Sequence, residues 1–349
     1  MSLRQIYQQQ AVFVTNSPST GAITHIDQLH RITSCDWSYA ITRTDINQAG
    51  QLAAIDRLII AAHTVNLSIG YHVADVWNET ALGFRTDGAA SAIEYLIDET
   101  QGDKNYLVRM VPVGNDAVGY AGTDGGVIGI GNGFLSSYST QGAVGQIPSA
   151  KVQIEAAHLK YYVGSSGINT PAVNTSNGQL LNHSLTVPVA TSGEAGQLSA
   201  LQPGQIQVDI TNGAFGIQNH CIQSYNLSVD MRREPIQCLG SRFPKARVIT
   251  FPVTASLDIE TNVQDFGTGD LATVICNDVS FNATVSLYAP SCTGFGDLKA
   301  QYQLRGAKLD SENVTTSIGP NTKASLKFSA QVGGPQDEAR GLFINGALV

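Results

Sequence analysis

The sequence predicts a mainly β protein: two tandem antiparallel β-barrel or sandwich domains, each with one flanking helix. Three observations carry this reading: the composition, the alternation of apolar and polar residues in many short segments, and a repeat of the chain within itself. Only 14% of the 349 residues are charged, against ~25% in an ordinary globular chain, and 35 are glycine. Ser, Thr, Asn and Gln supply the polar share instead, which suits strands, turns and uncharged contact surfaces. Disorder is excluded, because it needs low hydrophobicity and high charge, and 42% of this chain is hydrophobic.

The repeat organises everything else. Laid over itself at an offset of 190, the chain shows thirteen identities in the forty-two positions from 28 to 69. They run from Gln28/Gln218, His30/His220, Ile32/Ile222 and Ser34/Ser224 through Arg43/Arg233, Gly50/Gly240 and Arg57/Arg247 to Leu67/Leu257 and Ile69/Ile259. Further on, at shifted offsets, Thr86–Ile93 lies over Thr268–Ile275, and Leu135, Ser137, Gly145, Ala150 and Ala156 lie over Leu309, Ser311, Gly319, Ala324 and Ala330. The expected organisation is a first domain over 1–163, a linker or excursion over 164–204 rich in Gly, Ser, Asn and Pro, and a second domain over 205–349.

Within the first copy, Trp37, Tyr39 and Ile41 alternate with polar or small residues, as do Val65, Leu67 and Ile69, and then Val152, Ile154 and Ala156. Each run reads as a half-buried strand. Between them, Asp87 reads as the cap of a helix with Ala89, Ala90, Ile93, Leu96 and Ile97 on one face. The second copy repeats the device with Leu227, Val229 and Met231, with Ala255, Leu257 and Ile259, with a shorter helix at 269–277, and with Leu326, Phe328 and Ala330.

The shared loop is the candidate site. A strand ends at Arg43 or Arg233, Gly50 or Gly240 follows seven residues later, and Arg57 or Arg247 seven after that. The glycine suits a turn with positive φ, and the two guanidinium groups can clamp the segment's ends to carboxylates or carbonyls. Two uses fit: bracing within the chain, or contact with a neighbouring subunit.

Chemistry-bearing patterns are scarce. None of the seven histidines falls in a metal-ligand spacing, and the repeated His30/His220 pair reads as structural. Gly129-Ile-Gly-Asn-Gly lacks the rest of a nucleotide loop, no G-x-S-x-G is present, and Asp98-Glu99 and Asp337-Glu338 read as solvated surface. Five cysteines without a C-x-x-C pair read as mostly buried apolar residues. No enzyme activity, cofactor or metal is expected. The glycine-rich stretch 114–133 reads as an exposed loop, either a contact loop that orders on assembly or a mobile one without a partner. A formal charge of −8 is wrong for gripping nucleic acid through phosphates. The start has no apolar core of signal-peptide length and no stretch reaches the ~18–20 apolar residues of a membrane span, so the expected place of synthesis is a cytoplasm.

Residues 232–260, with Arg233-Glu-Pro, Gly240, Pro244-x-x-Arg247 and the returning amphipathic strand, resemble the major tail tube proteins of tailed bacteriophages. The first copy carries a degenerate form without proline at positions 45 and 54. The resemblance implies a β-barrel or sandwich with a flanking helix, subunits joined edge to edge into rings, and rings stacked into a pipe through which DNA passes during ejection. Related tubes are commonly sixfold, so a duplicated chain is expected to close a trimeric, pseudo-sixfold ring; a true hexamer with the second copy outside is the other arrangement. The implied partners are further copies of itself and sheath, terminator, baseplate or tape-measure proteins, in a virion tail assembled in the host cytoplasm. The competing readings are another phage structural component (sheath, capsid or terminator) and a tandem β-domain module that binds a host surface.

Overall fold

Strand formation follows the alternation. The computed structural model describes residues 9–16, 25–59, 63–97, 102–174, 179–181, 183–192, 205–211, 217–241, 243–266, 279–292, 294–316, 321–334, 337 and 339–346. It is mainly β, as expected, with a large antiparallel sheet; among the described residues that sheet stays open and closes no barrel. The first half runs β1 (Gln10–Asn16), β2 (Ile26–Gln28), β3 (Ile32–Ala40), β4 (Thr44–Ile46), β5 (Asp56–Leu58) and β6 (Thr64–His72). Two short helices follow, α1 (Trp77–Leu82) and α2 (Glu94–Ile97), then β7 (Asp103–Met110), β8 (Gly126–Ala143), β9 (Ser149–Ala156) and β10 (His158–Val163). A small ladder of β11 (Ile168–Asn169) and β12 (Ser184–Leu185) leads to the second half. That half comprises β13 (Ile206–Thr211), β14 (Ile217–Asp230), β15 (Arg233–Ile236), β16 (Ala246–Ile249), β17 (Val253–Phe266), β18 (Phe281–Tyr288), β19 (Leu298–Thr315), β20 (Lys323–Val332) and β21 (Gly341–Gly346).

The two halves pair their strands in the same way. In the first, β1 joins β7, β7 joins β8, β8 joins β9, β9 joins β6 and β6 joins β3, while β10 lies along the start of β8. In the second, β13, β18, β19, β20, β17 and β14 follow in that order, with β21 along the start of β19. Even the bulges coincide: one between Ile32 and Ser34 matches one between Ile222 and Ser224, and one between Leu135 and Ser137 matches one between Leu309 and Ser311. A bulge bends its strand, so the 18-residue β8 and β19 each serve one set of partners before it and another after it.

The halves share one core. Buried Val152, Ile154 and Ala156 on β9 and Leu326, Phe328 and Ala330 on β20 belong to a single apolar cluster. Burying a Val, Leu, Ile or Phe side chain stabilises by ~1.5–3 kcal/mol. A second cluster packs part of the 164–204 segment, including Ile168, Leu185, Val187 and Ala190, against Phe13, Leu107 and Val127 of the first half. The glycines of β8 make room for it: a Cβ on Gly131 would lie 2.1 Å from the Pro171 carbonyl oxygen. Asn132 Oδ1 accepts from Val173 N at 2.6 Å and so fixes the crossing.

Three local readings are corrected. The helix expected from Asp87 is confined to Glu94–Ile97, because Gly88 N and Ala92 N donate to Ile344 and Leu342 carbonyls of β21, both at 2.9 Å, instead of continuing a helical ladder. Gly88, at φ +69°, turns the chain there. Its counterpart at 269–277 lies outside the described residues. The glycine-rich stretch is not a loop throughout: from Gly126 onward it is β8, and Arg109 holds the preceding loop through Tyr120 O (2.9 Å) and Gly122 O (2.8 Å). The described cysteines are not buried: Cys221, Cys238 and Cys292 are exposed and Cys35 half-buried, while Cys276 lies outside the described residues.

Candidate assembly interface

The sheet is continuous across the halves through one seam. Beyond its bulge, β8 has β9 on one edge and β14 on the other, with Ser137–Ala143 facing Ser224–Asp230. Met231 N→Ser136 O (2.8 Å) and Val144 N→Gln223 O (2.9 Å) extend the ladder at its ends. Eight strands thus run in the order β3, β6, β9, β8, β14, β17, β20, β19, four from each half.

The second-half loop locks this seam. Gly240 (φ +88°) and Gly50 (φ +87°) occupy the same left-handed conformation, and a Cβ at either would meet nothing within 4 Å, so the backbone angle is what calls for glycine. Arg233 sits over the Phe134 ring at 5.2 Å and donates to the carbonyls of Leu135 (2.7 Å), Leu96 (3.1 Å) and Arg247 (3.0 Å). Burial pulls its pKa down to about 10. Arg247 pairs with Glu155 at 2.6 Å and donates to Thr64 Oγ1 at 3.0 Å. Leu96, Phe134, Leu135, Glu155 and Thr64 all belong to the first half, so both second-copy arginines clamp one half onto the other.

Among the described residues the first-copy loop makes no such clamp. Arg43 is exposed, and Arg57, with 68% of its side chain exposed, pairs only with Asp45 of the facing strand. The contrast extends to the strand edge beside the loop. Met231 is 0% exposed and Val229 1%, whereas their counterparts Ile41 and Tyr39 are 44% and 60% exposed. Across the seam, Thr140 is buried and its counterpart Val314 is exposed. Among the described residues β3 pairs only β6, and the end of β19 pairs only β20.

A polar knot also ties the halves, and no sequence reading anticipated it. Glu79, buried on α1, receives the hydroxyls of Tyr71 (2.8 Å), Tyr138 (3.0 Å) and, from the second half, Tyr302 (3.3 Å) on Oε1. Burial raises its pKa, and the hydrogen bond from Tyr71 partly offsets this. Nearby, Arg31 and Asp75 form a buried ion pair at 2.9 Å. His30 borders this region, its backbone exchanging two hydrogen bonds with the Asn78 side chain, both at 2.8 Å. The His220 side chain, Asp98, Glu99 and Glu338 lie outside what is described. Among the described residues no group of three His, Cys, Asp or Glu side chains is placed to hold a metal ion, and no helix is long and apolar enough to cross a membrane.

No family model matches this chain, and no curated protein matches it. Among solved structures, a chain in the sixfold-symmetrised baseplate of the anti-feeding prophage matches with a TM-score of 0.26 and 13% identity, over 41% of this chain and 93% of that one. The likeness to this phage-like assembly is weak.

Proposed function

We propose that this chain is a structural subunit of a phage tail tube, closing a ring with two further copies and stacking into a channel for DNA. The observation that supports this is the seam: the chain already contains one edge-to-edge joint between its copies, and among the described residues the two strand edges that correspond to the sides of that joint have no partner. Carried over position by position, that joint places β3 of one chain along the end of β19 of the next, with Ala40 opposite Ser311, Ser38 opposite Asn313 and Trp37 opposite Val314. Tyr39 then falls opposite Glu312, whose Oε2 is buried without a partner in the single chain. Edge pairing between different surfaces propagates head to tail and ends only when a ring closes. Three chains of eight strands give six similar seats of two alternating kinds, which agrees with the sixfold habit implied by the sequence resemblance at 232–260. A net charge of −8 lets DNA slide through without being held. In this reading the protein has no catalytic task, and its other partners are the tail components that cap, surround or fill the tube.

The test is electron microscopy and mass measurement of the purified protein. Rings of three chains with a central channel, stacked into tubes, are the expected result. A monodisperse monomer over a wide concentration range overturns the reading.

A further inference from the structure

We propose that the β4–β5 hairpin of one copy seats in a trough on the second half of the next copy, with Arg57 paired to Asp310 across the contact. This rests on the head-to-tail ring above and specifies a second contact within it, separate from the strand edges.

The internal clamp is the template. In the first half the second-copy loop covers Phe134 (under Arg233), Ser136 (its carbonyl held by Met231 N) and Glu155 (paired with Arg247). The registers of β8 with β9 and of β19 with β20 make Lys308, Asp310 and Ser329 their second-half counterparts. Those three residues line an open trough of roughly 740 Å³ together with Asn282 and Arg340. On the prospective occupant, Ile55, Leu58 and Ile59 are 43–50% exposed, whereas Val248 and Ile249, the seated counterparts of Leu58 and Ile59, are half-buried. Exposed aliphatic side chains gathered on one hairpin mark a contact surface.

The charges have changed on both sides together. The first-copy hairpin carries Asp45 and Asp56 where the second has Pro235 and Ala246. The trough carries Lys308 where the first half has Phe134, and Arg340 before β21 where the first half has Ala157 before β10. The hairpin is thus more acidic than its counterpart where the trough is more basic than its own. The remaining carboxylate is in place for the repeated arginine: Glu155 is replaced by Ser329, whose hydroxyl donates to Asp310 Oδ1 at 2.9 Å, so Asp310 stands beside the position that Arg247 finds occupied by Glu155. Such complementarity fixes register as well as adding attraction.

The experiment is a charge swap in the full-length protein, read by sedimentation and by electron microscopy. Arg57→Glu and Asp310→Arg are each expected to cut assembled material at least tenfold, with the melting of the single chain unchanged, because both side chains are exposed there. The double variant Arg57→Glu/Asp310→Arg is expected to restore assembly. Single variants that assemble like the parent, in rings that still form, overturn the clamp and leave the tube standing. A double variant that stays unassembled while both singles fold also overturns it. A parent protein that never assembles removes the clamp and the tube reading together.

Discussion

Arg247→Ala isolates the clamp that the chain makes on itself, and Arg57→Ala is its control at the equivalent position. Arg247 is almost wholly buried and makes two charged hydrogen bonds, to Glu155 and Thr64. Each such bond contributes about 1.5–3 kcal/mol. The Glu155 side chain remains 32% exposed, so water recovers part of its solvation once the partner is gone. The expected loss is therefore about 2–4 kcal/mol, below the sum of two full bonds. The Arg57–Asp45 pair is largely in solvent, where ion pairs contribute about 0–1 kcal/mol, so Arg57→Ala should barely move the stability of the single chain. The assay is urea unfolding below the concentration at which the protein associates, with Glu155→Ala added to close a double-mutant cycle. Equal losses from Arg247→Ala and Arg57→Ala, or no coupling between Arg247 and Glu155, would refute the assignment of this contact as the lock on the seam.

Two further outcomes follow from the core. Glu79 has its pKa raised by burial, so between the unfolded value near ~4.3 and the higher folded value the native state holds more protons than the unfolded chain. Its contribution is therefore fullest in acid and is lost as the pH rises through the folded pKa, with a slope of up to about 1.4 kcal/mol per pH unit; Glu79→Gln, which keeps an acceptor for the tyrosines, should flatten that part of the stability–pH curve, and an unchanged slope would count against it. Gly131→Ala forces a methyl group to within 2.1 Å of the Pro171 carbonyl oxygen and should cost about 1–3 kcal/mol, seen as a lower Tm in a thermal scan; an unaltered Tm would mean the crossing segment lies elsewhere.

What could be read from the sequence was local or repeated. The alternation at Val65, Leu67 and Ile69, or at Val152, Ile154 and Ala156, marks strands because one face of each is buried and the other is not. The arginine–glycine–arginine loop was legible because it occurs twice. Its use was not, because Leu96, Leu135 and Glu155 are brought to it by a fold that joins residues about a hundred positions apart. The apolar spacing after Asp87 suits a helix, but it suits equally a segment whose amides are taken by β21. Glu79 escaped notice because a lone glutamate in a short helical segment resembles any surface acid; only the convergence of three tyrosines from β6, β8 and β19 distinguishes it.

The seam also sets a timetable for biosynthesis. The edge at Ser137–Ala143 leaves the ribosome about eighty residues ahead of Ser224–Asp230, the strand that will cover it. At roughly 5–20 residues per second, that edge stays open for about 4–16 s, during which the neighbouring nascent chain on the same message offers an identical strand. Residues 183–192, packed on the first half through Arg109 N–H to the Pro188 carbonyl (2.7 Å) and through Val187, are made within that interval. They shorten the reach of the second half and so favour capture by the chain's own β14 over capture by a sibling's.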